Sequence, residues 1–140
     1  MRREATESST ISADAFPTVL MPALQALARQ RKQPGGMALD AIKLSHHGSR
    51  ANVTNELLKT VRADHYIVST NGAIFSHPDD EAVARVLVHG GRQPTLWFNY
   101  ATERSRRWAE PALRAKYGHQ VQYPASGRAG LAIGLAGRAV

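Results

Sequence analysis

Short apolar runs alternate with stretches of helical spacing along most of this chain, and that alternation narrows the fold more than any other feature. From Ala15 to about Arg31 the positions Phe16, Val19, Leu20, Leu24 and Leu27 recur at helical intervals. Pro17 is tolerated in a first turn, and Pro34-Gly35-Gly36 ends the segment. Leu39 to Ser45 then reads as a strand. Thr54 is placed to cap a helix that carries Leu57, Leu58 and Val61. Tyr66-Ile67-Val68 is a second strand, closed by the turn signal Asn71-Gly72. In His77-Pro78-Asp79-Asp80-Glu81 a proline at the first helical position and acids in the first turn mark a helix start. That helix buries Val83, Val86 and Leu87 and stops at Gly90-Gly91. Thr95 to Phe98 is a third strand. Trp108 to Tyr117 is expected as a helix broken early by Pro111. Gln120 to Tyr123 and Leu131 to Leu135 read as two last strands. Such an order predicts α/β layers with crossover connections.

Bulk properties exclude several classes. With 140 residues the chain has the size of one domain. It contains no cysteine, so neither disulfides nor thiolate metal sites are available. That composition is compatible with a reducing cytoplasm, and a cytoplasmic location is the expectation. No apolar run approaches the roughly 18 residues that span a bilayer. The start, Met1-Arg2-Arg3-Glu4, leads into polar residues and has no apolar signal core. A formal net charge of +7 draws the chain toward polyanions. The cations are dispersed, with local density at Arg29-Arg31-Lys32 and Arg104-Arg106-Arg107. Solvated helix faces account for them as readily as a nucleic-acid surface does.

The stretch richest in chemistry is Lys43-Leu44-Ser45-His46-His47-Gly48-Ser49. Two histidines at the carboxyl end of a strand stand where α/β proteins place their sites. Neighbours on a strand point to opposite faces, so one imidazole could meet a metal while the other supports it. Ser49 offers a hydroxyl to an anion. Packed or exposed histidines explain the same pair. Asp14 precedes a helix and serves either as its N-cap or, if a strand runs before it, as a carboxylate converging with His47 on one site. His77, next to Pro78, either caps a helix or acts at a phosphate near a helix N-terminus, as a binder or as a proton donor. His65, His89 and His119 have no such company and read as structural or exposed.

Together these blocks resemble the metallo-β-lactamase superfamily, most of all hydrolases similar to the soluble domain of the bacterial DNA-uptake competence channel. The resemblance is carried by Ser12-Ala13-Asp14-Ala15, Lys43 to Ser49, Tyr66 to Gly72, His77-Pro78, Phe98-Asn99-Tyr100 and Arg107-Trp108-Ala109, between about residues 12 and 135. It implies half of a four-layer αββα sandwich, a mixed sheet with flanking helices, formed by residues 13–140 after a poorly patterned segment 1–12. It also implies one or two zinc or manganese ions, with Asp14, His47 and His46 as metal ligands. Ser49 and His77 would then meet substrate, and His77 would be catalytic. The implied activity is metal-assisted hydrolysis of a phosphodiester or a related ester, amide or thioester.

One departure matters. The His-x-His-x-Asp-His motif that supplies most ligands in that superfamily has no counterpart here, and the run into Asp14, Glu7-Ser8-Ser9-Thr10-Ile11, is polar. The expectation is therefore an incomplete, C-terminal half. Its partners would be a second copy of the chain or a separate N-terminal-half polypeptide, with a phosphodiester or nucleic acid as substrate. The alternatives are a non-catalytic α/β module that binds a partner or anions, and a basic nucleic-acid-binding domain.

Overall fold

A computed structural model describes residues 10–11, 16–128 and 130–134. It contains β1 (Thr10–Ile11), α1 (Pro17–Gln30), β2 (Met37–Lys43), α2 (Asn55–Thr60), β3 (Val61–Val68), α3 (Asp80–His89) and β4 (Thr95–Phe98). These are followed by α4 (Glu103–Arg106), α5 (Pro111–Tyr117) and β5 (Gln120–Gln122), with short 3₁₀ turns at Ser45–His47 and Arg107–Ala109.

The five strands form one sheet in the order β1-β2-β3-β4-β5. Every pairing among the described residues is parallel, so the sheet is not the mixed one expected from the sequence. The reason is that each strand is followed by a crossover long enough to return the chain to the same starting edge. Leu131 to Gly134 carry no strand, and Leu135 lies outside the described residues. With neighbours paired in sequence order, right-handed crossovers bring successive helices to one face. In agreement, α1 packs on α2 and α2 on α3.

The register shows which face is covered. Ile42, Tyr66, Leu96 and Val121 form one row across the sheet. The first three of these, with Val68 and Phe98, are buried. The Tyr66 hydroxyl donates to the Gly90 carbonyl at the end of α3 and accepts from the Ala63 amide at 3.2 Å, which fixes α3 over this face. Tyr123 stacks on Phe98 and donates to the Ser105 carbonyl, so the segment around α4 covers the same side. The opposite row of Lys43, Ile67, Trp97 and Gln122 is half-buried or exposed. On that face Trp97 donates Nε1–H to His65 Nδ1 at 3.1 Å. Toward the strand starts, Met37, Leu39, Val61 and Ala63 are buried on the alternate parity, so the less covered face is confined to the carboxyl halves of the strands.

The helix ends follow from local chemistry. Thr54 caps α2 by accepting from the Leu57 amide at 3.1 Å. Pro78 does not open α3. Asp79 is the N-cap, and Asp80 and Glu81 fill the first turn. The predicted helix from Trp108 is divided by Pro111 into a 3₁₀ turn and α5, and α4 precedes both. α4 has a capping box in which the Thr102 and Ser105 side chains each accept from the other residue's amide.

Candidate functional site

The carboxyl edge of the sheet gathers the loops that follow β2, β3 and β4. After β2 the chain does not continue as a strand through His46 and His47. Both residues have positive φ, 48° and 57°, within a 3₁₀ turn, and Gly48 follows in the left-handed region. The expected strand-like opposition of the two rings is therefore replaced by a tight turn. The Gly48 amide closes this turn on the Ser45 carbonyl at 3.1 Å. His46 and His47 are exposed, with ring centroids 6.2 Å apart.

His47 is held by the next loop. Its Nδ1 lies 2.5 Å from the Ser69 carbonyl oxygen. A carbonyl only accepts, so Nδ1 carries the proton and the neutral ring keeps its lone pair on Nε2. A backbone carbonyl behind Nδ1 is the support that orients metal-ligating histidines. Ser69 is held in turn by Asn99 from the end of β4, whose Nδ2 donates to Ser69 Oγ at 3.2 Å. The Asn99 Oδ1 accepts from the Thr70 amide at 2.8 Å. Three successive strand ends thus fix one imidazole.

The loop after β3 returns through His77 to the same place. The His77–Pro78 bond is cis. The Asp79 amide donates to the Gly48 carbonyl at 3.0 Å, and Asp79 Oδ2 accepts from the Arg50 amide at 2.8 Å. This tie brings the His46 and His77 rings to 5.8 Å, with Phe75 6.1 Å from His46 and 5.9 Å from His77. His77 Nδ1 lies 3.4 Å from Asp79 Oδ1 without the geometry of a hydrogen bond. His77 is not the helix cap. Ser49 is buried, and its hydroxyl accepts from the Ala51 amide inside the turn.

Beyond this loop lies a cleft of about 810 Å³. Asn71, Gly72 and Ser76 form one wall, and Arg104, Arg106 and Arg107 stand on the other. Arg107 Nη1 is 2.5 Å from Asp80 Oδ2, and Arg104 Nη1 is 3.9 Å from Oδ1. Glu103 and Glu110 also line the cleft.

The structure therefore brings His46, His47 and His77 to one edge, with Ser49 inside the turn. Asp14 lies outside the described residues. The strand before it exists as β1, parallel to β2 and joined to it by α1, although its residues are polar or lie in a polar run. Asp79 and Asn99, which hold the loops in place, are not among the site residues expected from the sequence. Asp79 belongs to the acidic helix start and Asn99 ends the third strand, so position alone could have suggested both. His65 and His119 are structural as expected, the latter buried with Nε2 2.7 Å from the Trp108 carbonyl oxygen.

Among the described residues, no group of three or more His, Asp or Glu side chains is arranged to hold a metal ion. His47 has the orientation of one ligand, but the described residues do not fit a complete zinc or manganese centre, which needs about three protein ligands for each hydrolytic zinc. The chain matches no protein-family model, no curated protein and no solved structure.

Proposed function

We propose that the carboxyl edge of this sheet is the substrate side of a metallo-β-lactamase-like phosphodiester hydrolase. The observation that carries the reading is the His47–Ser69 contact, which sets an exposed imidazole at the sheet's carboxyl edge with its Nε2 lone pair available; the loop after β3 that supplies Ser69 goes on to line the arginine-bearing cleft. In this reading His47 is one ligand of a divalent metal, zinc or manganese, and His46 stands next to it. The remaining ligands come from residues outside the described set, Asp14 among them, or from a partner polypeptide. His77 faces substrate as a proton donor, and Arg106 and Arg107 meet phosphate oxygens, for which planar guanidinium groups are well shaped. The half-buried row of Ile67 and Trp97 supports a partner seated on the sheet's other face.

The test is calorimetric titration of the chain with Mn²⁺ or Zn²⁺, alongside hydrolysis of bis(p-nitrophenyl) phosphate. Weak metal binding is expected, reduced about tenfold or more by His47→Ala. His77→Ala should leave metal binding unchanged and lower any turnover. Metal binding indifferent to His47→Ala rejects the reading. The second reading is an anion-binding module without catalysis, favoured by the incomplete ligand set among the described residues. It predicts binding of phosphodiesters with no dependence on metal.

A further inference from the structure

Among the described residues, the edge of the sheet opposite the candidate site holds most of the positive charge that has no carboxylate partner. The turn before β2 carries Arg31 and Lys32, the end of α2 and start of β3 carry Lys59 and Arg62, the turn before β4 carries Arg92, and the end of α5 carries Arg114 and Lys116. All seven are exposed. Parallel strands in sequence order place these turns side by side, and the contacts confirm it. A Cβ on Gly36 would lie 2.8 Å from the Lys59 carbonyl oxygen and 3.8 Å from the Arg62 guanidinium carbon. One on Gly91 would lie 3.8 Å from Arg62 Cβ, and one on Gly118 would lie 3.1 Å from Gln93 Cγ.

Every ion pair among the described residues uses Asp79, Asp80 or Glu81, near the other edge. None of the seven cations has a carboxylate partner within that set, and Arg114 meets only the neutral Gln120 amide at 3.4 Å. Basic residues at helix C-termini complement the helix dipole, which accounts for Lys59, Arg114 and Lys116. It also covers Arg31, the C-cap of α1, and Lys32 beside it, but not Arg62, which lies in β3, or Arg92, past the end of α3. The features that would suit a nucleic-acid groove lie elsewhere among the described residues. The cleft and the exposed Phe75 and Tyr100 are at the opposite end, and Tyr117 is half-buried with Lys116 Nζ 5.1 Å above its ring.

We infer that this edge docks the domain on an anionic phospholipid surface, with the seven side chains facing headgroup phosphates. A row of long, exposed cations spread along the whole edge suits an extended charged plane rather than one shaped ligand. Docking in this way leaves the histidine-bearing edge directed away from the lipid. The inference stands independently of the hydrolase reading.

The test is co-sedimentation with vesicles of phosphatidylcholine alone or mixed with phosphatidylglycerol, at low and high salt. Binding is expected only to the anionic vesicles and only at low to moderate salt. Each removed cation should weaken it about fivefold, so Arg31→Gln/Lys32→Gln/Arg92→Gln should lower it well over tenfold while Arg50→Gln at the far edge leaves it near the parent value. Circular dichroism confirms folding. If the triple variant is unfolded, Arg92→Gln alone decides. No binding to anionic vesicles overturns the inference, as does binding that the triple variant retains. Duplex DNA bound through the same three residues, with vesicles ignored, assigns the edge to nucleic acid instead.

Discussion

His47 Nδ1 and the Ser69 carbonyl oxygen are 2.5 Å apart across two loops that follow adjacent strands. The contact fixes the neutral tautomer of His47 with the proton on Nδ1. ¹⁵N-resolved NMR above the titration range should show an Nδ1–H, Nε2-bare ring for His47. Asn99→Ala releases Ser69 Oγ and the Thr70 amide, and should return His47 to the tautomer mixture of a free imidazole. A bare Nδ1 in the parent protein would remove the basis for treating Nε2 as a ligand.

Gly48 joins the two histidine-bearing loops at close range. Its φ is +86°, and an added Cβ would lie 2.8 Å from Pro78 Cβ. Gly48→Ala combines left-handed strain, about 1–2 kcal/mol, with that clash. A loss of roughly 2 kcal/mol or more in urea unfolding is expected, together with altered His46 and His77 ring signals. Unchanged stability would mean that the two loops are not packed as described.

Tyr66 makes stability depend on alkaline pH. Burial pushes its phenol up to about 12. The native state then holds the phenolic proton more tightly than the unfolded chain, whose tyrosine titrates near 10. The resulting stability is complete below about pH 10 and is lost as pH rises toward 12. At neutral pH Tyr66→Phe leaves the Gly90 carbonyl and the Ala63 amide with only their mutual bond of 3.3 Å, at a cost of about 1 kcal/mol. The gap between parent and variant should narrow between pH 10 and 12 in denaturant titrations, and a constant gap would contradict the assignment.

Ser105 organises the arginine wall of the cleft. It is buried, and its hydroxyl accepts from the Thr102 amide at 2.9 Å and donates to the Tyr100 carbonyl at 2.9 Å. Ser105→Ala should cost about 1–2 kcal/mol, in the range of a lost helix cap. It should also loosen Arg104 and Arg106, which hydrogen exchange across residues 100–107 would register.

Much of the fold was legible because burial imposes period on sequence. The sequence pattern gives Thr95–Phe98 its observed bounds, α1 to within about two residues, and Val83, Val86 and Leu87 as the buried side of α3. The strand at Tyr66 was read too short, although Val61-Arg62-Ala63-Asp64 already alternates buried and exposed. The Thr102–Ser105 box was overlooked because serine replaces the usual acid or amide at its last position. The geometry of the histidine turn was not legible. Non-glycine residues with positive φ have no strong local signal, and here His46 and His47 adopt it between a buried Ser45 and a glycine packed on Pro78. Parallel pairing at β5 was likewise undetermined by a polar three-residue strand.

The sheet's strict numerical order has a kinetic consequence. Among the described residues each strand bonds only to its predecessor and successor along the chain, so the sheet is a linear stack. Opening can begin at either end without disturbing the middle. β5 can detach by giving up its bonds to β4 alone, while β3 is released only when both flanks have parted. Amide protection should therefore peak at Tyr66 and its neighbours and fall stepwise toward both outer strands.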